Sequence, residues 1–201
     1  ANVTIAAGQI SLTATGSGGK GLKCDSTLTI TGGDLSVTTT GTTYVNIGGN
    51  QEYDGNYRGQ LDRLDDAYTT SPKGIKVGIK ATESSTGLPV GDIQISGGNI
   101  HVTCSGQQDG SEGIESKGTL TISGGTIDCN TYDDAINSSS HMYIKGGTIT
   151  VYSSGNDGLD SNGSLFLSGG TVYVNGPVSD GDGALDYNGG ADITGLSLIH
   201  I

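Results

Sequence analysis

The 201-residue chain is predicted to be all-β, a single-stranded right-handed parallel β-helix of about six to seven coils, on three observations. First, a ten-residue unit centred on a glycine pair recurs: LTITGGDLSV (28–37), IQISGGNIHV (93–102), LTISGGTIDC (120–129), MYIKGGTITV (142–151) and LFLSGGTVYV (165–174). Second, the second glycines of these units, Gly33, Gly98, Gly125, Gly147 and Gly170, are spaced 65, 27, 22 and 23 residues apart. That period belongs to a solenoid, in which each repeat buries its apolar edge only against its neighbours. Third, the apolar residues come as short alternating runs of Val, Ile and Leu, which favour strands over helices.

Residues 120–141 serve as the representative coil. Leu120 and Ile122 alternate with Thr121 and Ser123, giving a first strand with its apolar side inward. Gly124-Gly125 is predicted to turn the chain, because glycine tolerates positive φ. Ile127 and Cys129 then point inward from a second strand. A polar corner, 130–134, leads to a short third strand at 135–138. Three apolar columns follow when the coils are superimposed: Leu28, Ile93, Leu120, Met142, Leu165; Leu35, Ile100, Ile127, Ile149, Val172; and Leu22, Ile114, Ile136, Leu159, Leu185. A degraded copy, VTIAAGQISL (3–12), begins the stack, whereas LSLIHI (196–201) continues no repeat clearly. The chain reads as one domain, 1–201, with inserted loops at about 44–72 and 79–91. Lys73-Gly74-Ile75-Lys76, between the loops, copies Lys20-Gly21-Leu22-Lys23 and preserves the third strand inside the insertion.

The net charge of −12, from 21 acidic and 9 basic residues, argues against nucleic acid as a partner, since that needs a basic footprint. No apolar run approaches the roughly 20 residues of a membrane span. Ala1 opens no signal peptide, and the chain reads as a processed or trimmed secreted product acting outside the cell or at its surface. Three cysteines make no disulfide framework; Cys104 and Cys129 are offset by two positions along adjacent strands, so all three read as buried fillers. The three histidines fall at unrelated places in the repeat, which leaves no zinc set and no Ser-His-Asp arrangement.

Carboxylates cluster before each later third strand, in DGSEGIES (109–116), TYDDAINS (131–138), SGNDGLDS (154–161) and SDGDGALDY (179–187). Superposition of the coils puts Glu112, Asp134 and Asp157 on one ladder and Glu115, Asn137, Asp160 and Asp186 on another, with Asp182 near Asn156 and Asp133. Stacked like charges repel and desolvate one another. A hard divalent cation taking 6–8 oxygen ligands relieves this, so two or three Ca2+ ions between coils are expected. Outward positions carry aromatics: Tyr143 and Phe166 on the first strand, Tyr173 on the second with Tyr152 at the strand end one coil earlier. Exposed rings on a hydroxyl-rich sheet suit the apolar faces of sugars. Lys23 and Lys76 continue the outer ladder toward the N-terminus. A lysine there either pairs with an acid one coil away or abstracts the proton α to a uronate carboxyl beside a cation. Nine bases spread along a chain of net charge −12 offer no concentrated basic subsite, which favours binding over lysis.

The repeat L-x-I-S-G-G-x-I-x-V followed by D-G-I/L-x-S, with an early K-G-I-K, resembles a family of secreted bacterial carbohydrate-binding parallel β-helix proteins, similar in fold to family-nine polysaccharide lyases. The resemblance covers roughly 1–40 and 73–195. It implies calcium held by Glu112, Glu115, Asp133, Asp134, Asp157, Asp160, Asp182 and Asp186, and binding of cellulose or of pectin and polygalacturonate. A lyase base, were one present, would fall on Lys23 or Lys76. The expected function is therefore a calcium-stabilised, non-catalytic polysaccharide-binding protein. A calcium-dependent pectate-lyase-like enzyme and a structural or adhesive surface protein are the alternatives.

Overall fold

The computed structural model describes residues 1–45, 69–79, 84–88, 90–107, 109–177 and 181–200. Among these there is no helix. The first coil consists of β1 (Val3–Ile5), β2 (Gln9–Ala14) and β3 (Lys20–Cys24). The second consists of β4 (Thr27–Ile30) and β5 (Asp34–Thr39), the short strands β6 (Tyr44–Val45) and β7 (Thr69–Thr70), and then β8 (Lys73–Val77). From the third coil on, a long strand alternates with a short one. The pairs are β9 (Asp92–Cys104) with β10 (Glu112–Ser116), and β11 (Leu120–Thr131) with β12 (Ile136–Ser138). They continue as β13 (Met142–Ser153) with β14 (Leu159–Ser161), and β15 (Leu165–Asn175) with β16 (Leu185–Tyr187). The stack ends in β17 (Ala191–Ile193) and β18 (Ser197–His200).

All coil-to-coil pairing is parallel and forms two sheets, a parallel β-solenoid. One sheet runs β1-β4-β9-β11-β13-β15-β17, with β2 beside β5, β5 beside β9 and β18 beside β15. The other runs β3-β8-β10-β12-β14-β16, and its six strands mark six turns. The register reproduces the predicted columns: Leu28, Ile93, Leu120, Met142 and Leu165 are successive partners, as are Leu35, Ile100, Ile127, Ile149 and Val172. On the second sheet Leu22, Ile75, Ile114, Ile136, Leu159 and Leu185 follow one another, and Ile75 shows that the third strand survives between the insertions. Nearly every member is fully buried, so the core is a set of one-dimensional stacks rather than a globule. The free cysteines Cys24, Cys104 and Cys129 are buried within it.

Two features differ from the sequence pattern. Gly32-Gly33 separates β4 from β5 as expected, but from the third coil on the glycine pair does not separate two strands; the long strands run through it with a shift in register. Gly125 has a φ of +92°, and a Cβ there would lie 2.9 Å from the Gly98 carbonyl oxygen of the preceding coil. The pair therefore bends the strand while the ladder continues on both sides. The C-terminal segment does continue the repeat: Ser197, Leu198, Ile199 and His200 pair with Thr171, Val172, Tyr173 and Val174.

Each insertion leaves the stack on an antiparallel stem, Tyr44 and Val45 against Thr70 and Thr69 for the longer, and Ile79 against Val90 for the shorter. Most of the 44–72 loop lies outside the described residues.

Because each core column has a single file of neighbours, a charge inserted in it has no partner. Ile136→Asp is expected to abolish cooperative thermal unfolding, and Ile127→Ala to lower stability by about 2–5 kcal/mol in urea titration. A wild-type-like melting curve for Ile136→Asp would contradict the stacked core.

Candidate functional site

The corner before each short strand gathers the polar side chains. The in-register ladder Lys23, Lys76, Glu115, Asn137, Asp160, Asp186 lies along the second sheet, every neighbour a direct Cα partner. Three residues earlier, Lys20 and Lys73 are partners and Lys73 is partnered with Glu112, so a second ladder runs beside the first. Both change sign along the axis, lysines at the N-terminal end and carboxylates at the other.

At the change of sign the charges pair. Lys73 Nζ lies 2.6 Å from Glu112 Oε1 and 3.7 Å from Glu115 Oε1. Lys76 Nζ lies 3.4 Å from Glu115 Oε2, and Lys117 also contacts Glu115. Burial disfavours ionisation of Glu115, but Lys73, Lys117 and Lys76 overcome this and hold its carboxyl well below the usual range. Burial likewise opposes the charge on Lys73, yet Glu112 and Glu115 hold its ammonium above its ordinary value. Glu112, sharing that lysine, is pushed up to about 7 by burial despite Lys73, with Glu115 and Asp133 adding to the rise. Among the described residues Lys20 donates to uncharged acceptors, the Gly18 carbonyl oxygen at 2.7 Å and the Thr70 hydroxyl. Burial, with Lys76 and Lys73 nearby, brings it down to about 8.

Toward the C-terminal end the carboxylates accept from side-chain amides and backbone N–H groups. Asn137 Nδ2 donates to Asp134 Oδ2 at 2.9 Å and Asp160 Oδ2 at 2.6 Å, bridging two coils. Asn156 Nδ2 donates to Asp133 Oδ1 at 2.7 Å, and the Gly110 N–H to Asp133 Oδ2. The N–H groups of Asp157 and Gly183 donate to Asp134 Oδ1 and Asp157 Oδ1 at 3.2 and 2.7 Å. Asp134 is only 5% exposed. Burial, with the charges of Glu112 and Asp133, pushes its carboxyl up to about 9. Burial and the charges of Asp186 and Asp157 bring Asp160 to about 6, and burial raises Asp157 as well.

The structure thus brings together Asp133 with Asn156 and Asp134 with Asn137 and Asp160. It places Asp186 as the next partner after Asp160, and Asp182 close enough for its charge to act on Asp157. Glu112 and Glu115 belong instead to the lysine network, a donor set already neutralised. The remaining donors are all oxygen, which suits a hard cation. Among the described residues no group of three or more His, Cys, Asp or Glu side chains is arranged to hold a metal ion. The bases are not spread out as the composition suggested: Lys20, Lys23, Lys73, Lys76 and Lys117, five of the nine, meet at one end of one sheet. The sequence signal is the alignment of K-G-L-K, K-G-I-K and E-G-I-E, charged pairs at one spacing whose sign reverses.

On the other sheet Tyr143 and Phe166 are partners and their rings stack, centroids 4.8 Å apart at an interplanar angle of 6°. His141 packs edge-on against both rings, its Nδ1 accepting the Ser164 N–H at 3.0 Å, and Lys145 Nζ lies 5.3 Å from the Tyr143 centroid. One face of Tyr143 is thus covered by Phe166, and Lys145 lies over its ring; its partner on the preceding coil is Thr121. There a shallow depression of about 220 Å³ is lined by Thr29, Gln94, Ile95, Ser96, Thr121 and Ser123. A larger one, about 550 Å³, lies over Gln9, Ser11, Asp34, Ser36, Asn99 and His101, and its column continues through Asp128 and Thr150 to Tyr173. Tyr152 is exposed beside Asn175.

A parallel β-solenoid with hydroxyl- and amide-lined depressions aligned with aromatic side chains defines a class of elongated binding proteins. The family described as carbohydrate-binding domain-containing protein matches residues 1–158, and this chain belongs to it. The match takes in Tyr143, Tyr152 and both lysine ladders, but stops before Phe166 and Asp160. No curated protein and no solved structure matches the chain. Among the described residues no helix is long and apolar enough to cross a membrane.

The raised carboxyls fix the direction of a pH dependence. Glu112, Asp134 and Asp160 bind protons more tightly folded than unfolded, so between about pH 4.5 and 7 stability falls as pH rises. Below that window the depressed Glu115 reverses the trend, its contribution being lost as it is protonated. Urea titration in chelator should show greater stability near pH 5 than near pH 7, with a smaller difference in Asp134→Asn. A flat profile or greater stability near neutrality would contradict the electrostatic reading.

Proposed function

We propose that this protein is a calcium-stabilised, non-catalytic, extracellular module that binds plant cell-wall polysaccharide, cellulose or pectin. The observation that carries the reading is the polar depression lined by Thr29, Gln94 and Thr121, whose column continues to Tyr143. From Thr29 through Gln94, Thr121 and Tyr143 to Phe166, one residue per coil at ~4.8 Å, this strip is about 19 Å long, enough for several sugar units in line. Hydroxyl and amide side chains supply hydrogen bonds, and the Tyr143 ring an apolar surface. Tyr173 and Tyr152 offer a second line of contact. Of the tyrosines of 44–68, also expected to contribute, Tyr44 is exposed on the stem beside Thr70, and Tyr53, Tyr57 and Tyr68 lie outside the described residues.

Calcium enters the proposal through the carboxylates of the C-terminal corners, Asp133, Asp134, Asp157, Asp160, Asp182 and Asp186, with Asn137 and Asn156 as neutral oxygen donors. Two or three ions bridging successive coils would relieve the repulsion that raises Asp134 and Asp160. A thermal melt should shift upward with calcium relative to chelator, and less so in Asp134→Ala and Asp157→Ala, because a ligand of the folded state stabilises it by mass action. An unchanged melt would remove calcium from the account.

A specific observation keeps a second reading, a lyase acting on a polyuronate. Five lysines gather at one end of the second sheet, Lys73, Lys76 and Lys117 paired with Glu112 and Glu115, and Lys20 at about 8 is close to a working base. Incubation with polygalacturonate and calcium separates the two. Retention without unsaturated product, lowered a few-fold in Tyr143→Ala through the loss of about 1 kcal/mol, is the expected result. Absorbance of unsaturated product that disappears in Lys20→Ala, Lys23→Ala or Lys76→Ala would establish the lyase.

A further inference from the structure

We infer that the larger depression on the long-strand sheet is a second saccharide site, selective for a neutral chain over a polyuronate. The inference rests on the polysaccharide-binding reading and adds to the strip ending at Tyr143 and Phe166 a site with its own selectivity. The depression measures about 550 Å³, within the range of about 300–1,000 Å³ usual for small-molecule sites. Its side chains come from two neighbouring outward columns. Asp34 and Asn99 are direct partners, each directly after the second glycine of its repeat. Two residues further on, Ser36, His101 and Asp128 are successive partners. These residues sit on β5, β9 and β11, each paired on both sides, so the face they form belongs to the body of the stack.

The polar groups suit a pair of neighbouring sugar hydroxyls. Asn99 Nδ2 donates to Asp34 Oδ1 at 2.7 Å, which holds an acid and an amide side by side. Among the described residues the second Asp34 oxygen, the Asn99 oxygen and the second Asn99 amide hydrogen have no partner, so two acceptors and a donor remain together. The carboxylate is the strong acceptor of this set, because a charge-assisted hydrogen bond is roughly twice as strong as a neutral one. Ser36 and His101 add a hydroxyl and an imidazole, with His101 Nδ1 3.7 Å from Asp128 Oδ2. Charge then sets the selectivity. Among the described residues Asp34 has no ion pair and Asp128 has only His101, whereas Lys20, Lys23, Lys73 and Lys76 lie on the other sheet. A uronate carboxylate laid along this face would stand one or two coils, roughly 5–10 Å, from both acids, where like charges oppose binding. A neutral sugar brings the same hydroxyls without that repulsion. The Tyr143 strip does not discriminate in this way: Thr29, Gln94 and Thr121 are uncharged, and Lys145 Nζ lies 5.3 Å from the Tyr143 ring centroid.

The chain has three histidines, and two of them report the two sites separately: His101 lines this depression, and His141 packs against the Tyr143 and Phe166 rings. Imidazole NMR signals of the whole chain are followed during titration with cello-oligosaccharide and, separately, with oligogalacturonate. Both titrations are run in chelator, so that no calcium bridges carboxylates. Cello-oligosaccharide should shift His101 and His141 alike, and oligogalacturonate should leave His101 unmoved. In Asp34→Ala/Asn99→Ala the concentration of neutral chain needed to shift His101 should rise roughly tenfold or more, with His141 responding as in the wild type. In Asp34→Asn/Asp128→Asn, which removes both charges, oligogalacturonate should begin to shift His101. The substituted side chains are exposed, and thermal melts verify that each variant keeps its fold. A response of His141 without one of His101 would overturn this inference and leave the Tyr143 strip standing. Silence of both histidines toward either saccharide would overturn the polysaccharide-binding reading together with it. A wild-type His101 that responds to oligogalacturonate as readily as to the neutral chain, or one still silent toward it in Asp34→Asn/Asp128→Asn, would overturn the charge selectivity.

Discussion

In-register stacking at ~4.8 Å, with each residue directly over its counterpart in the next coil, is the constraint on which everything else in this molecule depends. It makes the core possible without a globular interior: Ile100, Ile127 and Ile149 need only one another and the facing columns. The same rule applies without discrimination to every other position. Where the counterpart is aromatic, rings lie flat on rings, as for Tyr143 and Phe166. Where it is a carboxylate, like charges are forced together, and burial with the charges of Glu112 and Asp133 raises the Asp134 carboxyl.

Two remedies for that repulsion divide the polar ladder. In the N-terminal half, lysines occupy the equivalent positions one coil away, and Glu112 and Glu115 are neutralised within the chain. In the C-terminal half, Asn137 and Asn156 interrupt the carboxylates and donate to Asp134, Asp160 and Asp133. Repulsion there is diluted rather than neutralised. One ladder thus combines an ion-pair network with an acidic corner in which amides separate the carboxylates.

Much of the fold was legible because a solenoid writes its tertiary contacts as sequence periodicity. Superposing the glycine pairs was enough to place Leu120 on Met142 or Ile136 on Leu159. The long-strand geometry was less legible, since Gly124-Gly125 carries the same signal for a turn as for a bend within a continuous ladder. On the polar face, the order of Glu115, Asn137 and Asp160 was readable from spacing alone. The partners of Glu115 were not, because Lys117 reaches it from the corner following β10 rather than along a column. The ring-on-ring packing of Tyr143 was hidden for a different reason: alternation tells that a side chain points outward, not which way its plane turns. The 44–72 loop has no repeat to superpose, so periodicity is silent there.

The most direct test of the central claim, that the stacked outer column of the long-strand sheet is the sugar-binding strip, is side-chain NMR during titration with cello-oligosaccharide and with oligogalacturonate. The account predicts perturbations following one column through Thr29, Gln94, Thr121 and Tyr143, with the buried core signals unchanged. Perturbations centred on Lys20, Lys23 and Lys76, with the Gln94 and Tyr143 signals unmoved, would contradict it.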